Sequence, residues 1–255
     1  MNIKVKYITN TGLKRPTNED SILIDKMLIS KVSMGYSEER EFLIEQQFLC
    51  AVADGMGGHG KGEVASDFLL NSLNKHMQEL KELDNLQEIL FKVKNELDAF
   101  AKYNIEYKNI GTTLSGILFA ESEFVVFSIG DSRVYENNRG YAKQLSKDHS
   151  FVFSLYESGE IAYEDIKKHS QRHIVTSAFI ANENEKLSKI FIKKFKFETF
   201  PKEFLICSDG VWEVVELNDL DQCFKESNPI EFLKEKILNN GANDNFSAIY
   251  IKGLK

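Results

Sequence analysis

An α+β sandwich is the fold class this sequence predicts, and three observations predict it. FLCAVAD, residues 48–54, has no polar side chain from Phe48 to Ala53, the mark of a strand buried on both faces. Two amphipathic patterns, EVASDFLLNSLNKHM and NLQEILFKVKNELDAFAKY, follow it back to back. The strand-like segments beyond them end in mixed elements and a final strand, which departs from the strict βαβ alternation of a nucleotide-binding sheet.

Along the chain, VKYITNTGLKRPTNEDSILID reads as a strand, a Gly/Pro turn and a second strand from about Ser21. Residues 26–47 are mixed and charged, an excursion or hairpin between strands. The strand at 48–54 ends on Asp54. In the first helix Val64, Phe68 and Met77 share a face with Leu69 and Leu73 beside it, and Leu86, Ile89, Leu90, Val93, Leu97 and Phe100 carry the second. GTTLSGILF, EFVVFSIGD and SRVYENNRGYAKQLS predict a strand meander that turns at AESE, at Gly130 and Asp131, and at 137–140. Residues 147–190 are polar and irregular, with short helices around 151–158 and 163–169. FIKKFKFETF and EFLICSD resume strands, VVELNDLDQCF and PIEFLKEKILNN predict helices, and NFSAIYI is the final strand. The chain has no internal repeat and no low-complexity tail.

At 255 residues the chain can bury roughly 70 to 75 per cent of its unfolded surface, enough for one domain or two. Its formal charge of -7 argues against a broad nucleic-acid surface. No run reaches the roughly 18 apolar residues a membrane span needs, and MNIKVKYITN has neither an apolar block nor a cleavage site. A cytoplasmic protein without membrane contact is expected. Cys50, Cys207 and Cys223 are an odd set at long spacings and read as buried free thiols.

Asp54, Asp131, Asp209 and Asp244 fall at strand or turn boundaries beside Gly55, Gly130, Gly210 and Asn245, and Glu19 with Asp20 adds an acidic pair in TNEDS. A single Asp-Gly is an ordinary turn. Carboxylates that a fold gathers need protonation, strong hydrogen bonds or hard cations to relieve their repulsion. Mg2+ or Mn2+ takes carboxylate, carbonyl and water oxygens, and two such ions about 3.5 to 4 Å apart activate water for displacement at phosphorus. DGMGGHGKG lacks the GxxxxGK[ST] layout, because Glu63 follows Gly62, which argues against a nucleotide P-loop. Gly57, Gly58, Gly60 and Gly62 let the backbone turn before the helix and leave amides that can face an anion. His59 has no neighbouring Cys or His and reads as a surface histidine, and Met56 as packing, since a thioether is a poor ligand for a hard ion.

TGLKRPTNEDS, VADGMGGHGKGEVAS, GTTL, IGDSRVY, LSKDHS, LICSDGVWEVV and GANDNFSAIYI, in that order, resemble the metal-dependent serine/threonine protein phosphatases of the protein phosphatase 2C family in their compact bacterial form. The motifs span residues 11–251. The resemblance implies one catalytic domain over 1–255, a four-layer α-β-β-α sandwich with two mainly antiparallel sheets and a metal cluster at one end. It implies that Asp54 bridges two core metals, that Gly55 offers its carbonyl to one, and that Asp209 and Asp244 ligate the other. Asp131 matches the contributor to a weaker third ion, and Glu19 and Asp20 match acids that hold metal-bound waters. Arg15 matches the arginine that clamps the substrate phosphate, where a planar guanidinium donates two hydrogen bonds. Arg133 has no such match and is expected to brace the GDSR turn or nearby carboxylates.

The implied activity is Mn2+- or Mg2+-dependent hydrolysis of phosphoserine and phosphothreonine in proteins by a metal-activated water, without a covalent phosphoenzyme, with Arg15 and Asp54 as catalytic residues. The implied partners are phosphorylated proteins and a serine/threonine kinase with its substrates, and the chain is expected to be monomeric. Met56 stands where some members carry a histidine proposed as leaving-group acid, and it cannot transfer a proton. The resemblance also makes 147–190 the flap near the active site, but HSQRHIVTSAFI has Phe179 and Ile180 where a Leu-Gly ending is common. Residues 26–47 exceed the usual short connection. The alternative from another class is a phosphoprotein-binding pseudophosphatase; retention of every core acid and of Arg15 argues against it.

Overall fold

The computed structural model describes residues 1–57, 61–77, 80, 83–197 and 202–254. Strand β1 (Asn2–Asn10) buries Ile3, Val5 and Tyr7 on one face. β2 (Asp20–Ile24) and β3 (Met27–Ser30) form a hairpin through Asp25, which takes φ +52. β4 (Glu38–Leu43) is charged and exposed and pairs with β1 at a sheet edge, where its charges discourage further strand pairing. Residues 26–47 therefore hold a hairpin arm and an edge strand.

β5 (Phe48–Met56) is buried from Phe48 to Ala53 as its apolar run predicts, yet it continues through Asp54 to Met56. Helix α1 (Gly62–Met77) turns Ala65, Leu69, Leu70 and Leu73 into the core. Val64, Phe68 and Met77, expected on the main face, sit half-buried at its margin, and Phe68 packs on Phe100 of α2 (Leu86–Tyr103) with ring centroids 4.8 Å apart. That flank serves helix-helix contact; the leucines serve the sheet.

β6 (Gly111–Thr112), β7 (Leu114–Phe119) and β8 (Glu123–Ile129) run as expected, but the predicted meander breaks after β8. Gly130 takes φ +99, and through Asp131 and Ser132 the chain crosses to the other sheet, where β9 (Arg133–Asn138) pairs with β10 (Tyr141–Gln144) and with a strand some 70 residues on. The remaining elements are α3 (Phe151–Glu157), β11 (Phe179–Ile180), β12 (Phe191–Lys196), β13 (Glu203–Cys207), α4 (Asp209–Trp212), α5 (Leu217–Cys223), α6 (Pro229–Asn239) and β14 (Phe246–Gly253), with a 3-10 turn at Tyr163–Lys168.

One sheet has the order β10-β9-β13-β14-β1-β4; the other runs β11-β6-β5-β7-β8-β12, with β2 pairing β5 and β3 pairing β2. Every pairing is antiparallel. Val5, Ile22, Val52, Ile117, Ile206 and Ile249 meet between the sheets. Alternate residues point outward: Ala51, Leu118 and Phe127 reach α1 and α2, and Leu205, Ala248 and Tyr250 reach α4 to α6. The central strands β5, β7, β13 and β14 are buried on both faces, and the architecture is the four-layer α-β-β-α sandwich. Each fully buried Leu, Ile or Phe in these layers contributes about 1.5–3 kcal/mol relative to exposure. All three cysteines are free and buried, and no helix among the described residues is long and apolar enough to cross a membrane.

Candidate functional site

Antiparallel register sets Asp20 of β2 opposite Asp54 of β5, so the two acids share a face. β13 ends at Cys207, and Ser208 and Asp209 follow it into α4. The Ser208 hydroxyl donates to Asp20 Oδ2 at 2.8 Å, while Asp20 Oδ1 is buried without a hydrogen-bond partner among the described residues. Burial pushes the Asp20 carboxyl up to about 7, with Asp209 and Asp244 adding to the rise against the Ser247 and Ser208 hydroxyls. Burial, then Asp209 and Asp20, raises Asp54 well above the carboxylate range. Asp209 is raised for the same first reason, with Asp244 adding to the rise and the neighbouring Asp54 opposing it.

Asp131 enters from the crossover between the sheets. Its backbone carbonyl accepts Trp212 Nε1–H at 2.9 Å, and burial followed by Asp209, Asp148 and Glu213 raises its carboxyl well above the ordinary value. Asp244, just ahead of β14, accepts from the Asn245 N–H through Oδ1 at 2.8 Å and from Arg15 Nη2 through Oδ2 at 2.7 Å. The predicted phosphate clamp is thus anchored on a predicted metal ligand by one of its five N–H donors. Glu19 accepts the Gly62 N–H at 3.1 Å, and burial raises its carboxyl. The structure therefore gathers Glu19, Asp20, Asp54, Asp131, Asp209, Asp244 and Arg15 at one end of the two sheets.

Close backbone approach explains the glycine at the end of β5. A Cβ on Gly62 would stand 2.6 Å from the Gly55 carbonyl carbon and oxygen, so the start of α1 lies directly on that carbonyl. Gly58, His59 and Gly60 lie outside the described residues. Arg133 does brace carboxylates, as expected: Nε and Nη2 bond Asp148 at 2.9 and 2.6 Å, and the guanidinium lies 3.5 Å from the Trp212 ring centroid.

Three contributors escaped the sequence reading. Asn245 binds the Glu19 N–H through Oδ1 and the Thr11 and Thr17 carbonyls through Nδ2, tying the Arg15 loop to β14. Thr113 Oγ1 accepts the Asp54 N–H at 3.1 Å. Glu213 receives Arg172 Nε at 3.4 Å, and burial together with Asp209 pushes its carboxyl up to about 7. Its place four residues after Asp209, one helical turn on, was the available signal.

The donor set fits a hard divalent cation: carboxylate oxygens dominate, an acid oxygen is buried without a partner, and burial and mutual repulsion outweigh the offset that Arg133 gives Asp131 and His173 gives Asp209. No group of three or more His, Cys, Asp or Glu among the described residues is arranged to hold an ion by itself. A bound ion would complete its shell with backbone oxygen and water, as Mg2+ commonly does.

A family model of protein phosphatase 2C matches residues 42–244. The serine/threonine phosphatase stp of Listeria monocytogenes serovar 1/2a is 29% identical over 219 residues, covering 82% of this chain and 85% of that protein. The crystal structure of the Mycobacterium tuberculosis serine/threonine phosphatase PstP/Ppp superposes with a TM-score of 0.81 at 26% identity, covering 100% of both chains. A structure of the PstP catalytic domain in complex with two manganese ions gives 0.77 at 25% identity, again over 100% of both.

Proposed function

The chain belongs to the protein phosphatase 2C family, and from that premise we propose that it hydrolyses phosphoserine and phosphothreonine monoesters in proteins with Mn2+ or Mg2+ as cofactor. The observation that carries this reading is the convergence of Asp20, Asp54, Asp131 and Asp209 from four separate segments, raised together by burial and mutual repulsion.

In this proposal Asp54, the Gly55 carbonyl, Asp209 and Asp244 hold two core ions, Asp131 serves a weaker third, and Glu19 and Asp20 orient waters around them. When bound, the ions supply a nucleophilic water at neutral pH and Lewis acidity toward the phosphoryl oxygens. Arg15 keeps four N–H donors beyond its Asp244 contact, enough to grip two phosphate oxygens while staying fixed to the acid cluster. The thiols are poor nucleophile candidates: burial pushes Cys207 up to about 12 and raises Cys50 and Cys223 well above the ordinary thiol. In this reading water forms the new P–O bond as the bond to the serine or threonine oxygen breaks, the proton given up by the water balancing the one the leaving oxygen takes up, and no phosphoenzyme intervenes.

We assign residues 1–255 to one catalytic domain and 147–190 to its flap. Arg172 and His173 of that segment reach Glu213 next to Asp209, at 3.4 and 3.5 Å, which supports a flap that touches the rim of the site. The test is phosphate release from phosphoserine, phosphothreonine and phosphotyrosine peptides with Mn2+, Mg2+ or EDTA. Metal-dependent release favouring the first two is expected. A folded protein that binds Mn2+ and releases phosphate from none of them would leave only phosphoprotein binding.

A further inference from the structure

Away from the acid cluster, a cavity of about 410 Å³ lies between the N-terminal part of α2 and residues 147–191. Phe91, Leu187, Ile190 and Phe191 form its apolar wall; its polar lining includes His149, Lys147 and Lys189 together with the carboxylates of Asp148 and Glu157. His149 is 7% exposed. Its ring is held from behind by the turn after β8: the Gly130 N–H donates to Nδ1 at 3.3 Å, and the His149 N–H donates to the Gly130 carbonyl at 2.7 Å.

A ring nitrogen that accepts a hydrogen bond carries no proton, so the neutral imidazole has its hydrogen on Nε2. Burial, reinforced by Lys147 and Lys189, pushes the ring down to about 4 and keeps it neutral at physiological pH. Nε2–H is then a donor of fixed orientation with no hydrogen-bond partner among the described residues, accessible from the cavity and not sealed in the core. Lys189 has no ion-pair partner among the described residues. The carboxylates nearby are already engaged: Glu157 pairs with Lys147 at 2.6 Å, and buried Asp148 with Arg133. What the cavity leaves unengaged is the Lys189 ammonium and the His149 Nε2–H beside an apolar wall.

We propose that this cavity is a second ligand site, for a phosphate monoester, with the phosphoryl group on His149 Nε2–H and Lys189 and its carbon skeleton against Phe91 and Phe191. An oxyanion would meet the Lys189 ammonium and the His149 Nε2–H, while the lining carboxylates of Asp148 and Glu157 are held by Arg133 and Lys147. A phosphoryl group fills only part of the cavity, and the apolar remainder favours an ester over free phosphate. The site does not rest on the hydrolytic reading, since none of its residues belongs to the proposed ion ligands or clamp. Binding would be felt at Gly130, because a hydrogen bond from Nε2–H makes Nδ1 a stronger acceptor.

The test is a titration of the full chain in Mg2+, labelled with 15N in its backbone and histidine rings, with phenylphosphonate and with inorganic phosphate. Saturable shifts of His149 Nε2–H and the Gly130 amide are expected, with phenylphosphonate binding the tighter of the two. Lys189→Ala and Lys147→Ala, both away from the core, should weaken it about tenfold each. The site is overturned if phenylphosphonate moves only resonances of the acid cluster, or if neither lysine variant changes the affinity. Equal affinity for both ligands overturns the ester.

Discussion

At Gly62 even a methyl group would collide with the Gly55 carbonyl, with Glu19 Cδ only 2.9 Å from the same point, so two elements and an acid depend on one missing side chain. Gly62→Ala should cost about 1–3 kcal/mol in a urea melt and weaken Mn2+ binding by displacing that carbonyl; unchanged stability would mean the approach is looser than described. The two residues proposed as catalytic should separate by readout. Arg15→Ala removes a half-exposed ion pair, which is worth about 0–1 kcal/mol, so fold and metal affinity should survive while kcat/KM on phosphopeptides falls roughly 10- to 100-fold. Asp54→Asn puts a neutral amide where an anionic carboxylate is proposed to bridge two cations, and its loss should appear first as weaker Mn2+ binding by calorimetry. Wild-type metal affinity in Asp54→Asn would remove it from the centre, and wild-type kinetics in Arg15→Ala would remove the clamp.

At the scale of elements, Arg133 and Asp148 tie the first strand of the crossover to the segment before α3, and Trp212 of α4 seals the guanidinium from above. Both side chains are buried, so removing one leaves the other uncompensated. Asp148→Asn should destabilise by about 3–5 kcal/mol in denaturant, while Arg133→Lys, which loses the two-pronged contact and the stacking, should also fail to restore wild-type stability. A near-neutral Asp148→Asn would mean the pair is wetter than its burial indicates. This contact also marks where the sequence stopped being informative. β5 and the two long helices were legible because an apolar run and a 3.6-residue period are local signals, and Glu19, Asp20, Asp54, Asp131, Asp209 and Asp244 were legible through ordered motifs. The crossing between sheets was not, because β9 pairs with β13 some 70 residues away. Nor was the anchoring of Arg15 on Asp244, 229 positions on. Val64, Phe68 and Met77 were placed on one face, but what covers that face was not legible, because periodicity finds an apolar stripe without saying whether a sheet or a second helix covers it.

For the molecule as a whole, a chain of net charge -7 concentrates buried acids at one end of its sheets, and without cations this opposes folding at neutral pH. Asp20 measures the effect. Its folded value is about 7 against about 3.9 in an unfolded chain. Between those values the folded protein holds a proton the unfolded one has lost, so stability falls as pH rises from about 4 to about 7. Glu213, also pushed up to about 7, acts in the same direction, whereas His149, pushed down to about 4, opposes it by losing stability as pH falls from about 6.5 toward 4. Asp20→Asn removes the first contribution together with the repulsion Asp20 exerts on Asp54, while Glu213 and His149 are common to both proteins. In EDTA the variant should be no more stable than wild type near pH 4 and should gain on it steadily toward pH 7, by an amount on the order of a few kcal/mol. Saturating Mn2+ should raise the wild-type Tm, by about 2.7 kcal/mol of stability at one hundred times Kd, and should shrink or invert the variant's advantage. Thermal melts of both proteins from pH 4 to 8, with EDTA and with Mn2+, read all of this together. A difference between them that stays flat across that range in EDTA would show that Asp20 ionises freely where it sits, and that the acids do not strain the metal-free fold.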